Sequence, residues 1–395
     1  MHLNGLQGKR SNKLSGKKIV LAVTGSVAAV ESVKLARELV RRGAEVVGIM
    51  SKGAQKIIHP YALEFATHEL ITEITGKVEH VDLLDADMLL IAPASANTIS
   101  KIATGVADTP VTLTAATVLG KMPVIIVPSM HESIYDNPVI QENMSKLREF
   151  AEIEVVEPHH EEEKAKFPPM ETICLHVEKS VYPQDMAGKN AIVTSGPTYE
   201  QIDPIRFISN KSSGLMGKEI ALELWRRGAS ITYISSHPLN LRLSQFKEIF
   251  TYSVSDMLKA STDEVKNGCD LFVSAAAPSD FVVEMNDKKV KTGEISLKLK
   301  AAPKIIKELR KFYDGPIIGF KAETGVSDEE LYQIAHDKMI DDKLEMVVAN
   351  DVKEKGMGTE DTRVLMLTGK RNDWSEGSKT QIAEEIIKVY VEDCL

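Results

Sequence analysis

One pattern recurs along this chain: a short, nearly continuous apolar run, then a cluster of Gly, Ser, Thr or Pro, then apolar positions at helical spacing. The run Lys18–Val23 reads as a buried strand entering Thr24-Gly25-Ser26, with a helix over about 28–42 and a second strand over 44–50. Further strands are expected over 87–91 and 124–127, ending in Pro93-Ala94-Ser95-Ala96-Asn97-Thr98 and Pro128-Ser129-Met130-His131. A helix over 170–180 closes the first half. The second half starts afresh with a strand at 191–193 and a helix over 218–227. Strands follow over 230–235, 248–252, 269–274, 316–320 and 345–349, with helical stretches between most of them. This grammar predicts helix-covered parallel sheets, an α/β fold of two doubly wound domains. The boundaries expected are a polar, disordered tail over 1–17, a domain over 18–181, a linker over 182–189 with Pro183 and Gly188, and a domain over 190–395. The halves share this grammar and no sequence repeat.

Composition narrows the function. At 395 residues the chain can bury two cores. A net charge of −9, from 48 basic and 57 acidic residues, argues against nucleic acid or an anionic membrane as partner. Cys174, Cys269 and Cys394 are too scattered for a disulfide framework or a metal pattern. No apolar run approaches the roughly 20 residues of a membrane span, and the expected compartment is cytoplasmic.

The chemistry is expected where strands end, because ligands bind outside the carboxyl ends of strands in such sheets. The longest such stretch, 194–217, carries Gly196, Gly214 and Gly217, several hydroxyls, and Arg206, Asn210 and Lys211. Glycines let backbone N–H groups approach phosphate, and the following helix start adds partial positive charge. Ser26, at a strand-to-helix turn, either binds a phosphate or caps the helix. No GxGxxG follows the first strand, which weakens a nicotinamide-dependent reductase, and no GxxxxGK[ST] occurs, which excludes a Walker-type ATPase. Asp280, in Ser274-Ala275-Ala276-Ala277-Pro278-Ser279-Asp280, is placed to bind a base, a ribose or a magnesium ion. Lys288-Lys289-Val290-Lys291 is a basic cluster in an acidic chain, by itself as consistent with a solvated hairpin. The adjacent His159 and His160 have poor ligand geometry for a metal.

Two sets of words carry a family resemblance. In the second half GPT, DPIR, ISN, SSG and MG resemble the signature of the phosphopantothenate–cysteine ligases. In the first half Gly25-Ser26-Val27-Ala28, the word PASANT and His80 resemble the flavin-dependent cysteine decarboxylases. The two are the halves of the bifunctional coenzyme A biosynthesis proteins. The resemblance implies a flavodoxin-like FMN domain followed by a Rossmann-like nucleotide-binding domain. It implies 4′-phosphopantothenate, cysteine and CTP as substrates, with FMN and magnesium. It gives His80, Asn210, Arg206 and Lys289 catalytic roles. Gly25, Ser26, Ser51, Ser95, Asn97 and Met130 would hold the flavin. Gly196, Ser212, Ser213, Gly214, Met216, Ala276, Asp280, Lys289, Lys291, Phe320 and Lys338 would hold the nucleotide, with Asp280 also toward the metal. It further implies a flavin site at a subunit interface and a homo-oligomer, a dodecamer built from trimers and dimers.

The chain departs from the family pattern at four places. His131 stands where the decarboxylases have an asparagine, and the segment 158–167 lacks their flap cysteine. Thr292 and Asp342 each stand where the ligases have a lysine. A non-catalytic flavin-binding subunit is the rival from another class, against which the presence of His80 argues.

Overall fold

The computed structural model describes residues 3–161, 164–291, 296–353, 359 and 361–395, and the chain divides into two compact units, Met1–Tyr182 and Pro183–Leu395. The first unit contains, in chain order, β1 (Lys18–Val23), β2 (Glu45–Met50), β3 (Glu69–Ile71), β4 (Met88–Ala94), β5 (Val124–Pro128), β6 (Met130–His131), β7 (Ile153–Val155), β8 (His159–Glu161) and β9 (Lys164–Lys166). Its main sheet is parallel, in the order β3-β2-β1-β4-β5-β7. Ile19, Leu21 and Val23 of β1 join Leu90 and Val127 in one apolar cluster, and Val20 and Ala22 join Leu89 and Ile126 in another. Alternate residues therefore face opposite layers, and a strand covered on both sides must be apolar throughout. Leu35 and Leu39 of helix Ser32–Arg41 cover the first face, and Val111 and Ala115 of helix Pro110–Val118 the second.

The N-terminal segment is not a disordered tail. Leu3 and Leu14 are buried in the first cluster. The N–H groups of Gly8, Arg10 and Leu14 donate to the carbonyls of Val40, Arg41 and Arg42 at 3.2, 2.8 and 2.8 Å. Those carbonyls lack partners within helix Ser32–Arg41, and the segment supplies them. The expected linker is also packed, against the second unit. Met186 is buried and donates its N–H to Arg227 O at 2.9 Å, and Gln184 Nε2 donates to Arg226 O at 3.0 Å. It closes the end of helix Leu215–Arg226 in the same way.

The second unit contains β10 (Asn190–Ser195), β11 (Tyr199–Gln201), β12 (Phe207–Ser209), β13 (Ser230–Ser235), β14 (Phe246–Phe250), β15 (Leu271–Ser274), β16 (Phe281–Val283), β17 (Leu299–Ala301), β18 (Ile317–Glu323), β19 (Met346–Asp351), β20 (Asp361–Thr368) and β21 (Asn372–Ser378). Its main sheet runs β14-β13-β10-β15-β18-β19-β20-β21. Pairing is parallel from β14 to β19 and antiparallel beyond. The parallel sheet expected from the sequence gains this antiparallel edge because a tight turn joins β20 to β21 and no crossover helix is needed. Thr368 Oγ1 accepts the N–H groups of Lys370 and Arg371 at 3.1 Å each in that turn.

Both sheets therefore switch direction at one point, between β1 and β4 and between β10 and β15. The first unit is doubly wound, with the strand order 3-2-1-4-5-6 rather than flavodoxin's own 2-1-3-4-5. The 194–217 stretch is not one irregular loop, since β11 and β12 pair within it as an antiparallel hairpin. Within 158–167, β8 pairs antiparallel with β9, and β9 with β6. Glu162, Glu163 and Thr292 lie outside the described residues. Among the described residues no helix is long and apolar enough to cross a membrane.

Candidate active sites

A cavity of about 1000 Å³ opens at the carboxyl ends of the first unit's central strands. All six residues expected to hold the flavin, Gly25, Ser26, Ser51, Ser95, Asn97 and Met130, line it. Next to this lining, Thr24 Oγ1 donates to Pro93 O at 2.7 Å and accepts the Ser95 N–H at 2.9 Å, clamping the end of β1 to that of β4. A Cβ on Gly25 would lie 3.1 Å from Gly53 Cα, so the loops after β1 and β2 meet backbone to backbone. Ser26 Oγ donates to Ser129 Oγ at 3.3 Å, joining the ends of β1 and β5. Ser51 Oγ accepts the Ala54 N–H at 3.2 Å.

His131 lies on the wall of this cavity. Its Nδ1 accepts the Ser133 N–H at 3.2 Å and caps helix Glu132–Tyr135. A backbone N–H can only donate, so the neutral ring is assigned its proton on Nε2. His80, by contrast, is not among the lining residues. It sits in helix Glu79–Asp82, which packs against helix Pro110–Val118, whose start borders the cavity. Its Nδ1 is buried with no hydrogen-bond partner among the described residues. Val78, just before it, has φ 53°, a costly conformation for a β-branched residue. Cys174 is fully buried, and burial pushes its thiol up to about 12, so it is a core residue and inert.

The second cavity, about 690 Å³, stands at the corresponding switch point of the second sheet. Asn210, Ser212, Ser213, Gly214, Met216, Ala276, Asp280, Phe320 and Lys338 line it as expected. Gly196, Arg206, Lys289 and Lys291 are not among its lining residues. Gly196 lies beneath the wall, where a Cβ on Gly214 would come 3.2 Å from Gly196 Cα. A Cβ on Gly217 would lie 2.5 Å from Ser195 Oγ, so the start of helix Leu215–Arg226 sits tight against the end of β10.

Asn210 is already engaged through its amide N–H groups. Nδ2 donates to Ala277 O and Pro278 O at 3.2 and 3.0 Å, which leaves Oδ1 as an acceptor. Arg206 Nη1 donates to Asp203 Oδ2 at 2.6 Å and to Val290 O at 3.1 Å, tying the β11–β12 hairpin to the basic segment 288–291. Burial pushes Asp203 up, but the N–H groups of Ile205, Val290 and Arg206 and the Arg206 side chain outweigh it and hold the carboxyl at about 2. Asp280 pairs with Lys304 at 2.5 Å, and Lys338 with Asp342 at 2.7 Å. Among the described residues no cluster of three or more His, Cys, Asp or Glu could hold a metal ion. The sequence reading missed Lys304, Lys307 and Lys379 on this wall. The first two flank an Ile-Ile pair just after Pro303, a signal that was available; Lys379 had none.

Two family profiles match the chain: one described as flavoprotein over residues 7–182, and the DNA/pantothenate metabolism flavoprotein C-terminal domain over residues 186–393. The coenzyme A biosynthesis bifunctional protein CoaBC of Thermococcus kodakarensis is 46% identical over 379 residues, covering 93% of this chain and 92% of that protein. Its counterpart from Methanocaldococcus jannaschii is 38% identical over 388 residues, covering 97% and 95%. A solved C-terminal domain of a CoaBC protein is 27% identical with a TM-score of 0.44, covering 53% of this chain and 97% of that structure.

Proposed function

The chain belongs to the family of coenzyme A biosynthesis bifunctional proteins CoaBC, and from that premise we propose how its two cavities divide the work. It is a phosphopantothenoylcysteine decarboxylase and a phosphopantothenate–cysteine ligase in one chain. Ligation requires an activated carboxylate. In our reading the second cavity binds 4′-phosphopantothenate and CTP, and a carboxylate oxygen attacks the α-phosphorus as pyrophosphate leaves. The amine of cysteine then attacks the acyl carbon of the acyl-cytidylate, and CMP departs. Such a site needs placement and charge neutralisation rather than a nucleophile. Asn210 Oδ1 accepts from the incoming amine, Arg206 steers cysteine through its segment, and Lys289 and Lys291 neutralise phosphate charge. Magnesium, when bound, would neutralise triphosphate charge further, and Asp280 is the residue that would help hold it.

The first cavity suits FMN. The Gly25–Gly53 approach makes a cradle that side chains would fill, beside the hydroxyls of Ser26 and Ser51. We place the phosphate there and the ring against Ser95, Asn97 and Met130. When bound, FMN would supply a reversible two-electron acceptor, oxidising the cysteinyl thiol end so that the electrons of the C–CO2 bond have somewhere to go and then returning the pair to leave 4′-phosphopantetheine. His80 serves as base or orients the cysteinyl end. His131 offers its Nε2–H to the substrate carboxylate, where the family's asparagine would stand. The position of His80 outside the lining of this cavity supports a site completed by a neighbouring copy. We take the assembly to be a cytoplasmic dodecamer of trimers and dimers.

The observation that carries this reading is the sorting of residues: every expected flavin contact lines one cavity, and Asn210 with the SSG and MG words lines the other. The test incubates the protein with 4′-phosphopantothenate, cysteine, magnesium and each nucleotide in turn, with products identified by mass. CMP, pyrophosphate and 4′-phosphopantetheine are expected with CTP. Equal turnover with ATP, or no ligated product, contradicts the assignment.

A further inference from the structure

Lys379 is an uncompensated charge in the wall of the second cavity. It is the first residue of helix Lys379–Cys394, fixed by the Ser378 cap, and its side chain lines the cavity although the residue is only 6% exposed. Of the other lysines of that wall, Lys304 has Asp280, Lys321 has Glu323 at 2.8 Å and Lys338 has Asp342, while Lys307 is exposed to solvent. Among the described residues no hydrogen bond or ion pair engages the Lys379 ammonium. Glu219, on the helix that packs against that of Lys379, takes its hydrogen bond from Thr380 at 3.1 Å. Burial lowers the Lys379 pKa, as expected of an ammonium without a counter-charge.

A desolvated ammonium with no anion destabilises a fold, so such a position is tolerated best where a ligand brings the anion. The same wall contains the start of helix Leu215–Arg226, whose first N–H groups have no partner within the helix and carry partial positive charge. Two independent sources of positive potential therefore face one space. We propose that Lys379 and the first turn of helix Leu215–Arg226 form an anion seat for a phosphate group bound in the second cavity. The inference rests on the ligase reading of that cavity, where the phosphate belongs either to the nucleotide or to 4′-phosphopantothenate.

The experiment uses the full chain with Lys379→Met, which keeps the length and removes the charge, and Lys379→Arg, which keeps the charge. Each is titrated calorimetrically with CTP, inorganic pyrophosphate and 4′-phosphopantothenate, and the Tm of each ligand-free protein is measured. Losing one charge-assisted contact should weaken binding of the seated phosphate about tenfold to a hundredfold in Lys379→Met, with Lys379→Arg retaining binding. The ligand-free Tm of Lys379→Met should equal or exceed that of the wild type, which a packing role for the lysine would not produce. Weakening with CTP and pyrophosphate assigns the seat to the triphosphate; weakening with 4′-phosphopantothenate alone assigns it to the acyl substrate. If the wild type binds pyrophosphate but not CTP, and Lys379→Met loses pyrophosphate, the seat stands and the nucleotide assignment falls. Unchanged affinity for all three, or no binding of any of them by the wild type, overturns the seat.

Discussion

The two cavities occupy the same place in the same strand order and are furnished differently. The first is walled mostly by small residues and hydroxyls, with Gly25 against Gly53 and Ser26 beside Ser129, and Lys52, Lys101 and Lys166 also line it. The second gathers Lys304, Lys307, Lys321, Lys338 and Lys379 together with Asp280, Asp337, Asp341 and Asp342 around a helix start. The switch point fixes where a ligand sits, and the loop side chains fix what it can be. A flat ring needs close backbone approach, whereas a triphosphate needs distributed positive charge. The units also share a clasp at the end of their first long helix, a short likeness that corrects the expectation of no repeat: Leu39-Val40-Arg41-Arg42-Gly43-Ala44 matches Leu224-Trp225-Arg226-Arg227-Gly228-Ala229 in the sequence. Arg42 bridges Glu38, Glu171 and Glu178 at 2.9, 2.8 and 3.1 Å, and Arg227 bridges Glu223 and Asp185 at 3.1 and 2.7 Å.

The clasp gives the sharpest way to break one unit and spare the other. Arg42 and Glu178 side chains are each 3% exposed, and removing one partner of a buried pair costs about 3 to 5 kcal/mol. Arg42→Met should therefore unfold the first unit at lower temperature, with loss of flavin absorbance, while ligation survives in the second. A single shared transition in calorimetry would contradict independent units. Next in size is Asn210→Asp, which removes the donors to Ala277 and Pro278 and adds charge. Without those donors the acceptor oxygen is no longer held toward the amine, and losing an aimed transition-state contact costs about 2 to 4 kcal/mol, roughly a hundredfold or more in ligation rate. The acyl-cytidylate should accumulate in that variant, whereas Lys289→Gln should slow its formation and accumulate none; chromatography of quenched nucleotide species separates the two. The smallest effect is the pH response of Asp203. Its folded pKa, about 2, lies below the ordinary 3.8, so its contribution is complete above the ordinary value and lost as pH falls through the folded one. Amide exchange around the β11–β12 hairpin should rise as pH drops from about 4 toward 2, and Asp203→Asn should remove that dependence.

The first cavity was legible because each of its contacts follows a strand directly, so strand-end words name the residues together. The second was legible only in part. Lys379 reaches the wall because β20 and β21 turn back antiparallel and return the last helix toward the start of Leu215–Arg226. The segment 361–378 was not recognised as strands, so nothing placed that lysine. The N-terminal segment escaped for another reason. Leu3 and Leu14 stand isolated among polar residues, and the segment is held mainly by backbone donors to the end of helix Ser32–Arg41, which leave no side-chain pattern. His80 was identified by resemblance, and its distance from the cavity lining was invisible in the sequence because the short helix Glu79–Asp82 packs on a neighbouring helix rather than on a strand end.

The central claim is that one cavity ligates and the other decarboxylates. A mass-resolved time course with 4′-phosphopantothenate, cysteine, CTP and magnesium tests it most directly, using His80→Asn and Asn210→Asp separately and then mixed. His80→Asn should accumulate phosphopantothenoylcysteine and release no CO2. Asn210→Asp should form little of it, yet decarboxylate it when it is supplied. Mixing the two proteins should restore 4′-phosphopantetheine. Loss of both activities in His80→Asn, or no recovery in the mixture, would contradict the division of labour.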